Sequence, residues 1–253
     1  MKYKREFRED KVNGFLTNMD KKDDRKLILI DVDGVLYDLT KALNKANTLL
    51  GMIPLCDEEI IDYSYKGYPE WVREVIFKEF QGTAIWSRSN CYYRGAIEFI
   101  KSIVAMVDSN KYSVVLHTLV ATEEGAGYRY RGLQEWLAQN ELFKDVSIWV
   151  DVAKKRVMPN SLVLIEDYLN NLRDSVAPIK LVAAHPYNSL HNVDCVGAID
   201  TMQYWVGSSY YSLFNAFITL LKQYENNETV DYASIEYVPV SEEKCFYKGR
   251  LES

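Results

Sequence analysis

The chain has 253 residues, 48% of them hydrophobic and 26% charged, which allows one substantial core, or a core domain with a smaller one inserted. Its net charge of −6 is the wrong sign for a surface that grips duplex DNA, and no apolar run approaches the ~20 residues of a membrane span. The four cysteines, Cys56, Cys91, Cys195 and Cys245, are far apart and form no CxxC pair, so reduced thiols in a cytoplasmic setting are expected rather than a disulfide framework or a zinc site.

Residues 1–26 are charged throughout and lack an apolar signal core, and they read as a solvated lead-in or a weak helix. Leu27-Ile28-Leu29-Ile30 then runs into acids and Gly34, the pattern of a buried strand ending at Asp31. Helical spacing follows from Leu39 to Leu50 and stops at Pro54. Residues 52–93 show no strong β pattern. They hold one predicted helix, Glu70 to Phe80, behind Pro69, and many aromatics: Tyr63, Tyr65, Tyr68, Trp71, Trp86, Tyr92 and Tyr93. This stretch reads as a helical cap inserted between 27–51 and 94–225; its plainer reading is more core.

Beyond it the chain alternates between the two kinds of element. Predicted helices cover Gly95–Val107, Tyr128–Gln139, Leu169–Ser175 and Ser208–Tyr224, and predicted strands cover Ser113–Leu116, Val146–Val150, Leu162–Ile165 and Lys180–Ala184. Such alternation makes an α/β fold, a doubly wound parallel sheet with helices on both faces. The segment 226–253 is a polar tail.

Ligands of such sheets sit beyond the carboxyl ends of the strands, and polar residues fall there. Asp31 and Asp33 follow the first strand, Thr118 the Val114–His117 run, Lys154 and Lys155 the Val146–Val150 strand, and Glu166-Asp167 the Leu162–Ile165 strand. Acids at i and i+2 lie on one side of an extended chain. One can attack phosphorus as a carboxylate, and the other can protonate a leaving oxygen and later activate water. Glu166 and Asp167 would complete an all-oxygen Mg2+ site with Asp31 and Asp33. A lysine and the Thr118 hydroxyl would hold the remaining phosphoryl oxygens. Gly34 lets the chain turn close to a ligand. The plainer readings are a helix-capping turn for the first acids and N-terminal helix charge for the Glu166-Asp167 pair. His117, His185 and His191 show no metal spacing and read as structural or loop residues.

Over roughly 27–190 these motifs resemble the haloacid dehalogenase superfamily of phosphotransferases. Asp31-Val32-Asp33-Gly34-Val35-Leu36 matches the first motif, Thr118 the second, Lys154 or Lys155 the third, and Glu166-Asp167 the fourth. Lys155 has the spacing closer to the pattern. Four features resemble the 5′(3′)-deoxyribonucleotidases in particular. These are Val35-Leu36-Tyr37-Asp38, the moderate helical insert, Tyr128-Arg129-Tyr130-Arg131 leading into Leu133 to Leu137, and the compact ending with His185-Pro186-Tyr187-Asn188. The resemblance implies a Rossmann-like core with a small cap, Mg2+ as cofactor and hydrolysis of nucleoside monophosphates. In that reading Asp31 is the nucleophile and Asp33 the acid/base, Thr118 and Lys155 hold phosphate, and Asp31, Asp33, Glu166 and Asp167 serve the metal. Trp86, Tyr92, Tyr93 and Arg94 are substrate candidates, since stacking of a base on an aromatic is worth ~1–3 kcal/mol. Arg88 is a further candidate. A sugar phosphate or a polynucleotide 3′ end is the rival substrate, and a non-catalytic binding module the rival class. The sequence leaves a homodimer open.

Overall fold

The computed structural model describes residues 15–19, 23–49, 51, 53–54, 70, 91–120, 122–153, 155–185, 188 and 205–235. Among the described residues run seven strands: β1 (Phe15–Thr17), β2 (Lys26–Ile30), β3 (Tyr112–Val120), β4 (Val146–Val152), β5 (Ser161–Glu166), β6 (Ile179–Ala183) and β7 (Trp205–Gly207). The helices are α1 (Leu39–Leu49), α2 (Ala96–Met106), α3 (Glu123–Gln139), α4 (Leu169–Asp174) and α5 (Tyr210–Glu225), with a 3-10 turn at Tyr232–Ser234. None of these helices is long and apolar enough to cross a membrane.

One sheet holds the strands in the order β1-β4-β3-β2-β5-β6-β7. Neighbours are parallel, apart from β1, which runs antiparallel to β4. The parallel part starts in the middle at β2, winds out through β3 and β4, then returns to β5 and winds the other way. This is the Rossmann-like, doubly wound order, and its reversal lies between β2 and β5, the place where such sheets open a crevice.

Helices cover both faces, which is why β2 reads as an unbroken apolar run. Ile28 and Ile30 point into a large core with Ile100 and Ile103 of α2, Leu133 and Leu137 of α3, and Phe217 and Leu220 of α5. Leu27 and Leu29 point the other way, into a smaller core with Val115, Leu164, Val182 and α4's Leu169 and Leu172. Each such side chain removed from water contributes ~1.5–3 kcal/mol. The helices start where their caps allow. Asp38 Oδ1 accepts the Lys41 N–H at 2.8 Å at the head of α1. Thr122 accepts the Gly125 N–H at 3.0 Å before α3, and Ser209 and Ser212 form a capping box before α5.

Among the described residues the expected elements are present with four physical differences. Phe15–Thr17, inside the segment read as a solvated lead-in or weak helix, is a strand, held by Phe15 stacked on Trp149 at 4.4 Å. β3 runs on to Val120, so Thr118 lies within the strand rather than past its end. α3 begins at Glu123 rather than Tyr128, because the Thr122 cap and core packing outweigh the poor helix propensity of Gly125 and Gly127. β7 had no counterpart in the sequence reading. The proposed helix over 70–80 and most of the 52–93 insert lie outside the described residues, as do Lys154, Trp86, Arg88 and His191.

Candidate active site

Asp31 continues the β2–β5 ladder by one residue: its N–H donates to the Ile165 carbonyl at 2.8 Å. That contact sets it beside the carboxyl end of β5, where Glu166 is the last strand residue and Asp167 the next. All three acids are buried, and each places a carboxylate oxygen within 4.8 Å of the others. Lys155 reaches in from the loop after β4, its Nζ 2.7 Å from Asp31 Oδ1 and 2.6 Å from Glu166 Oε2. Ala153, with φ 63° in this loop, sits in the left-handed region, at a cost of ~1–2 kcal/mol for a residue with a Cβ.

The acids have different surroundings. Glu166 Oε1 accepts the backbone N–H groups of Asp167 and Tyr168, both at 3.2 Å, and Oε2 also accepts Asn171 Nδ2 at 3.0 Å. Burial raises the Glu166 carboxyl, but the Lys155 charge and hydrogen bonds with Asp31, Lys155 and Asp167 outweigh it and hold the group below its ordinary value. Asp31 is driven the other way, to about 7, by burial and the Glu166 charge, against Lys155. Burial lowers Lys155, yet its two carboxylate neighbours leave it raised and therefore charged.

Three clustered carboxylates against one ammonium leave an excess of two negative charges if all are ionised. An all-oxygen donor set with that excess fits a hard divalent cation such as Mg2+. Such an ion would also oppose the upward push on Asp31. Asp31 and Asp167 are the acids placed to hold it, while Glu166 is occupied with Lys155, Asn171 and two backbone donors. The Asp33 carboxylate lies outside this cluster.

Gly34, with φ 77°, turns the chain after Asp33, and its carbonyl accepts a hydrogen bond from His185 Nε2. Burial lowers the His185 pKa to about 4 against that bond, so the imidazole donates as a neutral group. Asn188 locks the same corner: its Oδ1 accepts the His185 N–H at 2.6 Å, and its Nδ2 donates to the carbonyls of Asp167 and Ala183, each at 2.8 Å.

Asp33 Oδ2 lies 3.5 Å from Thr118 Oγ1, and Asp33 Oδ1 forms an ion pair with Arg129 of α3. Burial and Asp31 raise the Asp33 carboxyl, with Arg129 pulling against them. The Arg129 guanidinium rests 4.9 Å from the Tyr37 ring centre, and Tyr92 packs edge-on to Tyr37 and face-to-face on Trp136 at 3.9 Å. Tyr92 is therefore beside Asp33 and Arg129, whose charges act on its phenol, although burial dominates and pushes it up to about 12. Tyr93 is a core residue near His185 instead, and Arg94 is exposed.

A second buried network backs the Lys155 loop. Asp151, fully buried, accepts from His117 Nε2 at 2.9 Å and Trp149 Nε1 at 3.0 Å, and from the Arg156 N–H at 2.7 Å and Nε at 3.0 Å. These donors outweigh the burial that raises its carboxyl, and hold it below its ordinary value. Asp151 and Asn171 are not singled out in the sequence, and Arg129 and Asn188 enter only within runs that resemble the nucleotidases, with no role of their own. The available signal for two of them was a cation on the core-facing side of α3 and an acid two places after a Trp in a strand.

No family model matches this chain, and no curated protein does. Solved structures similar to it include a haloacid dehalogenase-like family hydrolase from Xanthomonas campestris, at 14% identity and TM-score 0.46, over 80% of this chain and 98% of that one. CbbY from Rhodobacter sphaeroides in complex with xylulose 1,5-bisphosphate shares 17% identity at TM-score 0.40, over 74% and 95% of the two chains. A HAD family hydrolase from Deinococcus radiodurans with bound phosphate and sodium shares 14% at TM-score 0.38, over 78% and 96%. Likeness at this level is silent on chemistry, which is set by the site.

Proposed function

We propose that the chain is a Mg2+-dependent phosphomonoesterase acting through a phosphoaspartate at Asp31, with nucleoside monophosphates as substrates. The observation that carries this reading is the meeting of Asp31, Lys155, Glu166 and Asp167 at the switch point of the sheet.

Lys155 fixes the Asp31 carboxylate by one oxygen, so the nucleophile is held rather than mobile. A carboxylate oxygen of Asp31 forms the new bond to phosphorus as the ester P–O bond breaks. Asp33 gives its proton to the departing alkoxide. In the second half, water attacks the phosphoaspartate, Asp33 takes the water's proton, and inorganic phosphate leaves with Asp31 restored. Thr118 and Lys155 donate to the phosphoryl oxygens as charge spreads over them. Mg2+ bound by Asp31, Asp167 and the Asp33 carbonyl would offset the repulsion between carboxylate and phosphate. The nucleotide preference draws on Tyr92, an aromatic ring close enough to Asp33 for that charge to act on its phenol, stacked on Trp136.

Phosphate release from a panel of deoxy- and ribonucleoside monophosphates and sugar phosphates, with and without Mg2+, tests the reading. Asp31→Asn should remain folded and lose turnover. Substantial residual activity in that variant would remove the mechanism, and a preference for sugar phosphates would remove the substrate.

A further inference from the structure

We infer that Arg129 is a positioning residue for the acid/base step, holding the Asp33 carboxylate by Oδ1 so that Oδ2 is presented at the phosphoryl pocket. This role rests on the phosphatase reading above and adds to it a residue that the four motifs do not contain.

Arg129 lies on the core-facing side of α3, in line with Gly125, Ala126, Gly132 and Leu133, all buried. It is 1% exposed. A guanidinium in such a place carries a desolvation cost of several kcal/mol unless an acid meets it. Small residues one turn to either side leave room for its stem, at ~1 kcal/mol of helix propensity for each glycine. Among the described residues the acid it meets is not a neighbour on α3; it is Asp33. Tyr37 lies beneath the guanidinium plane and fixes its tilt.

The two Asp33 oxygens are thereby divided. Oδ1 belongs to Arg129, and Oδ2 is 3.5 Å from Thr118 Oγ1, the hydroxyl assigned to the transferring phosphoryl group. A carboxylate otherwise turns about its terminal torsion, which is broad and two-fold. The Asp33 side chain is 22% exposed, against 1% for Arg129, so the guanidinium stands behind the acid and the open side faces the incoming ester. Arg129 acts through Asp33 and does not itself reach the substrate.

The leaving group tests this. An alkyl phosphate needs a proton delivered to its departing oxygen, whereas p-nitrophenolate departs without one. Arg129→Met should lower kcat/KM on an alkyl phosphate about 100-fold and on p-nitrophenyl phosphate less than about 10-fold. In an Asp33→Asn background the same change should cost the alkyl ester almost nothing more. Arg129→Lys keeps the charge without the planar fork; it should melt near wild type and show a smaller gap of the same sign. Equal losses on both esters in both variants, or full additivity with Asp33→Asn, would overturn the role. Should Arg129→Met fail to fold, the Lys variant decides by the same comparison. If wild type releases phosphate from neither ester, the phosphatase reading itself falls, an outcome distinct from uniform loss in the variants.

Discussion

Lys155→Met removes the ammonium that lies 2.7 Å from Asp31 and 2.6 Å from Glu166. Asp31 is 6% exposed and Glu166 fully buried, so water cannot replace the lost charge. Breaking a buried ion pair from one side costs ~3–5 kcal/mol, and in a chain of this size each kcal/mol lowers Tm by roughly 2–4 °C. A fall of roughly 6–20 °C is expected in EDTA. The variant should also gain more from Mg2+ than wild type does, because a bound divalent ion supplies part of the missing positive charge. Calorimetric melts in EDTA and in Mg2+ read both effects. Glu166→Gln in the same chain should recover part of the loss by removing one stranded carboxylate. A Lys155→Met melt within about 2 °C of wild type in EDTA, well short of the ion-pair cost, would refute this charge balance.

Further outcomes follow from the surrounding polar groups. The His185 imidazole has a folded pKa of about 4 against an ordinary 6.5, so between those values the unfolded chain binds the extra proton. Its contribution is whole above about pH 6.5 and is lost as pH falls toward 4, by ~3 kcal/mol in total at 1.36 kcal/mol per unit. Denaturant melts from pH 7.5 to 4 should show this slope, and His185→Gln should flatten it; an unchanged slope would show that other groups set it. Asp151→Asn leaves His117, Trp149 and both Arg156 donors facing a neutral amide, and should cost ~2–4 kcal/mol together with at least a tenfold loss in kcat/KM through the Lys155 loop. Wild-type stability in Asp151→Asn would show that the network does not hold that loop.

What could be read in the sequence follows from how local each signal is. Asp31, Asp33, Thr118, Lys155 and Glu166-Asp167 all sit at or near strand ends, and an apolar run meeting a polar residue marks a strand end in any α/β chain. The structure brings all six within hydrogen-bond or ion-pair range of a partner in the set, Asp167 through its backbone N–H to Glu166. The pairing of Arg129 with Asp33 is not legible because the two are 96 residues apart, and no pattern within a helix says which acid a buried cation will meet. Phe15–Thr17 and Trp205–Gly207 are too short for periodicity to show. Their pairing comes from the strand alongside, not from their own residues. α3's early start was hidden by Gly125 and Gly127, whose weak propensity is overridden by packing.

The antiparallel edge strand β1 has a consequence for how the molecule is made. Phe15 pairs with Asp151 and Leu16 with Val150, the Phe15 ring lies 4.1 Å from the Arg156 guanidinium, and the Asn18 side chain takes the Ile148 N–H across 130 positions. During synthesis this segment emerges well before its partner strand, and it has nothing to pair with until β4 has left the ribosome. At ~5–20 residues per second that wait is on the order of ten seconds. The segment therefore docks only after the strand that carries the lysine loop is made, and it extends the sheet along that strand's outer edge.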